Sequence, residues 1–118
     1  MPSVLIALGS NYQQCAHIQW ATQRLCALLT DATVSRILWT SDIHGRGLWY
    51  MNRLLRAKTT LSVDQLTVLL KQTEQETHRT TSRVTIDLDL MQYEAQRYHL
   101  QDWERPYIQQ LLSFQENM

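Results

Sequence analysis

Asp87 and Asp89, separated by a single leucine, are the residues whose type and spacing point most directly to chemistry. They lie in Arg83-Val84-Thr85-Ile86-Asp87-Leu88-Asp89-Leu90, which alternates strictly. As a β-strand it sends Val84, Ile86, Leu88 and Leu90 to one face and Arg83, Thr85, Asp87 and Asp89 to the other. The first face must pack on something. The second sets two carboxylates side by side, with Cα atoms roughly 6.5–7 Å apart. Two ionised carboxylates at that distance repel by about 2.4 kcal/mol at an effective dielectric near 20. Water and a nearby arginine can offset that repulsion on an exposed strand face, and so can divalent metal ions held between the two groups.

The elements that must position this strand can be read in order. Ser3 to Leu8 is a short buried strand ended by Gly9, after which Ser10 or Asn11 can cap a helix. From Cys15 to Leu29 the apolar positions Cys15, Ile18, Ala21, Leu25, Leu28 and Leu29 follow helical spacing. Thr33 to Thr40 is rich in strand formers, and Ser41 to Gly47 holds Asp42, His44 and two of the three glycines, a loop composition. Leu48 to Thr60 is a long third strand. Ser62-Val63-Asp64-Gln65 is a capping box with Leu61 and Leu66 at the staple positions, opening a helix that runs to about Thr77. After the Asp-containing strand and a polar turn beyond Tyr93, a last helix is expected from about Asp102 to Phe114, with Pro106 near its first turn. The order β-α-β-β-α-β plus a terminal helix is the split-βαβ, ferredoxin-like order of an α+β domain. It is an antiparallel sheet with helices on one face, Asp87 and Asp89 lying on the other. No repeat or linker interrupts it, so residues 1–118 read as one domain.

Composition narrows the rest. The 118 residues suffice for one core, and 44% apolar with 19% charged residues is ordinary for a globular chain. Formal net charge is zero with no basic cluster, so a nucleic-acid or anionic-membrane partner has no compositional support. The early apolar run, Val4 to Leu8, is too short to span a bilayer, and a cytoplasmic location is the expectation. On one helix Cys15 and Cys26 stand about 16 Å apart and cannot bridge. With no second Cys/His pair at ligand spacing, both read as buried thiols rather than a zinc site. Oligomeric state is not legible.

Several stretches resemble one family in collinear order. Ile6-Ala7-Leu8-Gly9-Ser10-Asn11 resembles the opening of the 6-hydroxymethyl-7,8-dihydropterin pyrophosphokinases, a strand ending in Leu-Gly-Ser-Asn. Tyr50-Met51-Asn52 is similar to the start of their third strand, and Glu74 followed by His78-Arg79 to the end of their second helix. Arg83 to Tyr93 resembles their hallmark strand, with Asp-Leu-Asp at its centre. His99, Arg105 and Tyr107 keep the spacing of their C-terminal motif. The resemblance implies a ferredoxin-like fold and transfer of pyrophosphate from ATP to the hydroxymethyl dihydropterin in folate biosynthesis. It implies that Asp87 and Asp89 hold two Mg2+ ions on the ATP phosphates, with Arg83 and Arg105 stabilising the transferring group. Glu74, Arg79, Leu90 and His99 would lie by the nucleotide. Asn52, Tyr50, Tyr107 and Thr40 would bind the pterin.

The chain departs from that pattern at defined places. Only Thr80-Thr81-Ser82 separates Arg79 from Arg83, where the family carries a long loop with arginine and tryptophan. His78 stands at the usual glycine, and Ser82-Arg83-Val84 at the usual Pro-Arg-Thr. Trp39 and Trp49 are candidates to line the pocket in place of the loop tryptophan. A non-catalytic pterin- or nucleotide-binding module, or a ferredoxin-like interaction domain, is the alternative to an enzyme. His17, Trp20, His44 and Trp103 carry no functional signal.

Overall fold

The computed structural model describes residues 1–41, 47–78, 80 and 83–116. The sheet has six strands: β1 (Ser3–Ser10), β2 (Thr30–Val34), β3 (Leu38–Ser41), β4 (Trp49–Lys58), β5 (Asp87–Tyr93) and β6 (Gln96–Arg97). Its helices are α1 (Gln14–Leu28), α2 (Val63–Gln75), α3 (Leu100–Trp103) and α4 (Pro106–Glu116). The sheet order is β2-β4-β1-β5-β6, with β3 also pairing on β4, and every pairing is antiparallel. Counting β2 and β3 as one interrupted strand, this is the ferredoxin-like arrangement that the element order predicts.

The interruption has a local cause. Ser35, almost fully buried, donates its N–H to the Leu54 carbonyl (2.8 Å), and its Oγ accepts from the Leu54 N–H (2.9 Å). The hydroxyl stands in for a ladder carbonyl, and the chain re-enters the sheet three residues later. Strand propensity continues through the break, so composition does not reveal it.

Two cores lie on opposite faces of the sheet. Val4, Ile6, Leu8, Leu55, Ile86, Leu88 and Leu90 pack against Ile18, Ala21 and Leu25 of α1 and Leu66 and Leu70 of α2. That is the expected helical layer, and the even-numbered residues from Val84 to Leu90 all lie in it or are buried beside it. Leu5, Leu54 and Met91 face the other way and pack under Trp103, Ile108, Leu111 and Leu112 of α3 and α4. The terminal segment therefore covers part of the sheet face that carries the aspartates. A bulge makes this second core possible: Ile6 pairs with Leu90 but Leu5 with Gln92, so Met91 is the extra residue. Trp103 pins α3 down, its indole N–H donating to the carbonyls of Met91 (3.2 Å) and Tyr98 (3.0 Å).

Other features differ from the sequence reading. β5 begins at Asp87; Arg83 to Ile86 approach it outside the ladder, tied through Asn11 and Val84. The terminal helix is two, because Pro106 has no N–H to continue α3 and instead opens α4. Cys15 and Cys26 are exposed, not buried. The buried stripe of α1 is Ile18, Ala21 and Leu25; Cys26 lies about 100° round the helix from Leu25, and Cys15 sits in the first turn, ahead of that stripe. The capping box on α2 forms as read, with Ser62 Oγ accepting from the Gln65 N–H and Gln65 Oε1 from the Ser62 N–H.

Candidate functional site

Strand register builds the floor of the site. Asp87 pairs with Gly9 and Gly9 with Asn52, so the three form one row across β5, β1 and β4. Asn52 is in turn opposite Leu38, and Tyr50 opposite Thr40. The next row places Asp89, Ala7 and Leu54 together. Directly opposed residues share a face. The middle of the first row has no side chain. A Cβ on Gly9 would lie 3.7 Å from Asn52 Oδ1 and 3.8 Å from Tyr50 Cδ1, so the glycine leaves open the space between carboxylate and amide.

That space is a cavity of about 230 Å³. Gly9, Thr40, Tyr50, Asn52, Asp87 and Asp89 line it from the sheet, and Asp102, Arg105, Tyr107, Ile108 and Leu111 close it from α3 and α4. A second cavity, of about 390 Å³, opens along the free edge of β5. Its walls are Val63, Thr67, Leu70, Lys71 and Glu74 of α2, Asp87 to Leu90 of β5, and Tyr98 and His99. The two cavities share two residues, Asp87 and Asp89.

Electrostatics of the shared wall follow from this crowding. Burial, then the neighbouring Asp87, pushes Asp89 up from the ordinary 3.8 to about 6, while His99 acts the other way. The two carboxyl groups lie close enough for the protonated form of Asp89 to be favoured by its neighbour. His99 Nε2 lies 3.9 Å from Asp89 Oδ1. Two adjacent carboxylates are hard oxygen donors of the kind a small divalent cation takes, and magnesium needs only one or two carboxylates beside phosphate and water. Among the described residues no third His, Cys, Asp or Glu joins them at metal distance.

The remaining polar groups are held in defined ways. Asn52, buried, donates from Nδ2 to Thr40 Oγ1 (2.9 Å) and the Leu38 carbonyl (3.0 Å). Arg105 Nε donates to Asp102 Oδ1 (2.8 Å), a partner supplied by neither Asp89 nor Glu104, and that bond raises the guanidinium above its usual range. Burial pushes the Tyr107 phenol up to about 12, which keeps it a hydrogen-bond donor. Glu74 Oε2 accepts from the Leu88 N–H (2.8 Å), satisfying an edge donor between the two aspartates.

Of the residues singled out from sequence, Asp87, Asp89, Arg105, Asn52, Tyr50, Tyr107 and Thr40 meet at the first cavity, and Glu74, Leu90 and His99 at the second. Arg83 lines neither: its guanidinium lies 4.7 Å from the Tyr12 ring centroid. Arg79 and His44 fall outside the described residues. Trp39 and Trp49 are 47% and 57% exposed and do not reach the cavity. Trp39 pairs with Met51 and Trp49 with Ser41, which sends both indoles to the opposite side of the sheet from Asn52. Gly9, Asp102 and Lys71 line the cavities without having been singled out as site residues. For Lys71 a signal existed: it lies three residues before Glu74, one helical turn away on the same face.

Among the described residues no helix is long and apolar enough to cross a membrane. A search of curated proteins finds no match to the chain. The family model for 7,8-dihydro-6-hydroxymethylpterin-pyrophosphokinase matches residues 5–114, nearly the whole chain and every cavity wall described above. The chain belongs to the 7,8-dihydro-6-hydroxymethylpterin-pyrophosphokinase family.

Proposed function

We propose that this chain, acting as a single cytoplasmic domain over residues 1–118, transfers the β,γ-pyrophosphoryl group of ATP to the hydroxymethyl oxygen of 6-hydroxymethyl-7,8-dihydropterin. The observation that carries the reading is the shared wall. Two cavities of different lining meet only at Asp87 and Asp89. A group-transfer enzyme needs donor and acceptor on either side of the reacting phosphorus. The first cavity, with an amide, hydroxyls and an aromatic wall, suits a flat polar heterocycle. The second, open along the β5 edge and carrying Lys71 and His99, suits the nucleotide.

In this reading the acceptor hydroxyl attacks the β-phosphorus, its proton leaves as the new P–O bond forms, and AMP departs with the electrons of the broken bond. Asp87 and Asp89 hold two Mg2+ ions, which supply charge neutralisation to the polyphosphate when bound. Asn52 and Thr40 present hydrogen-bonding groups to the pterin edge, and Tyr50 and Tyr107 wall its ring. Arg105, oriented by Asp102, stabilises charge on the transferring group from the acceptor side. Glu74 fixes the β5 edge beside the nucleotide, with Leu90 and His99 against it and Lys71 toward its phosphates. Arg79 and Arg83 serve the polyphosphate, Arg83 on leaving the Tyr12 ring.

Incubation with ATP, Mg2+ and the hydroxymethyl dihydropterin should yield AMP in step with acceptor consumed. Asp87→Asn should lower turnover at least ~100-fold while the melting temperature holds or rises. An Asp87→Asn enzyme of full activity would refute the metal role. Absence of AMP together with thermal stabilisation by pterin or nucleotide would leave a binding module. Stabilisation by neither would leave an interaction domain.

A further inference from the structure

Asn11, buried just beyond the end of β1, makes three hydrogen bonds beside the acceptor cavity without lining it. Its N–H donates to the Val84 carbonyl (2.9 Å), and its Oδ1 accepts from the Val84 N–H (2.8 Å). Its Nδ2 donates to the Tyr50 hydroxyl (3.3 Å), and the next residue of the same turn, Tyr12, carries the Arg83 guanidinium over its ring. The orientation of the amide is fixed by chemistry. A backbone N–H can only donate, so the oxygen must face Val84 and the NH2 must face Tyr50.

That orientation has a consequence at the cavity. An NH2 group only donates, so the Tyr50 hydroxyl must accept from Asn11. Its own proton is then left for another acceptor, and Tyr50 lines the acceptor cavity beside Asn52 and Gly9. We infer that Asn11 is a positioning residue that fixes the Tyr50 hydroxyl as a hydrogen-bond donor into the acceptor cavity, so that this tyrosine reads an acceptor atom on the heterocycle and does not merely stack on it. The inference rests on the functional reading above and assigns one donor within it.

Three variants test it, with Michaelis constants for both substrates and direct titration of the pterin into protein. Tyr50→Phe keeps the ring and removes the proton; the expected result is an acceptor KM raised about three- to tenfold, the worth of one neutral hydrogen bond, with the ATP KM unchanged. Asn11→Asp keeps an oxygen on the Val84 N–H, but its other oxygen captures the Tyr50 proton and turns the hydroxyl into an acceptor. It should raise the acceptor KM by a similar factor, and the double variant should lose no more than either single one. A merely structural asparagine would instead lower the melting temperature and move both KM values together. Additive losses in the double variant, or a Tyr50→Phe protein that binds pterin as well as the parent, would overturn the inference. Tyr50→Phe alone decides it should Asn11→Asp fail to fold. If the parent protein neither binds nor turns over the pterin, the functional reading itself fails and the inference goes with it; binding by the parent with no effect of Tyr50→Phe removes the inference alone.

Discussion

Gly9 is the residue on which the acceptor cavity depends most simply. It lies between Asp87 and Asn52 in a row that spans about 10 Å across three strands. A Cβ there would make ordinary van der Waals contacts at 3.7 and 3.8 Å, so it would fit the protein while occupying the cavity floor. Gly9→Ala should therefore leave the melting temperature equal or slightly higher, since alanine loses less chain entropy on folding by about 0.4–1 kcal/mol. Its affinity for the pterin should fall at least ~10-fold, the scale of a contact displaced by a methyl group, while ATP binding is unaffected. Titration of each ligand into the variant separates the two effects. Equal losses for both ligands would mean that the cavity does not hold the acceptor. The paired carboxylates give a second prediction at this scale. The folded-state pKa of Asp89, about 6, lies above the ordinary 3.8. The folded state therefore binds more protons across that interval, and stability falls as pH rises from about 4 to about 6, then levels. Asp87→Asn should flatten the fall, because it removes the neighbouring charge. Mg2+ binds the ionised carboxylates, so it should raise the melting temperature more at pH 7.5, above the Asp89 pKa of about 6, than at pH 5. Thermal melts across pH, with and without Mg2+, check both statements.

Among the elements, the end of α2 shows how a departure in sequence becomes a cost in structure. His78 has φ +56, in the left-handed region where helices commonly end on glycine. A side chain there costs roughly 1–2 kcal/mol, offset in part by the greater freedom of glycine in the unfolded chain. His78→Gly should thus stabilise the protein by about 0.5–1 kcal/mol, measured by denaturant unfolding; a loss of stability would mean that the imidazole makes a contact worth more than the strain. This position was marked in advance only by the family resemblance, which has glycine where this chain has His78. Legible from the residues themselves were the Asp-containing strand, whose alternation of period two fixes its faces, and the start of α2, whose capping box is local. Less legible were elements decided by distant partners. Ser35 breaks the second strand only because Leu54 lies opposite with both backbone groups to satisfy. Asp102 enters the cavity only because Trp103 anchors α3 against Met91 and Tyr98. Arg83, a phosphate ligand by the family resemblance, lies over Tyr12 instead, at a contact 71 residues away along the chain that no local pattern encodes.

At the scale of the whole molecule, the two cavities meet at one strand, and the connection that leads into that strand is short. Four Cα steps separate Arg79 from Arg83, a reach of at most about 14 Å. The described residues of this span are tied to each other: the Thr80 N–H donates to the Arg83 carbonyl (3.0 Å) and the Arg83 N–H to Thr80 Oγ1 (3.1 Å). A segment so short cannot cover both cavities. Mobile covers exclude water from a reacting phosphate and, when they must reopen, often set the rate at which products leave. Neither effect is available from this segment. On the proposed function, water would then remain near the polyphosphate, the chemical step would be slower, and products would exchange freely along the edge of β5. Chemistry should limit turnover, so the rate in a single turnover with enzyme in excess should equal the steady-state kcat, and rapid mixing should show AMP accumulating linearly from the first turnover. A burst of one AMP per enzyme followed by a slower phase would place a conformational or release step after chemistry and would require a cover supplied from elsewhere in the chain.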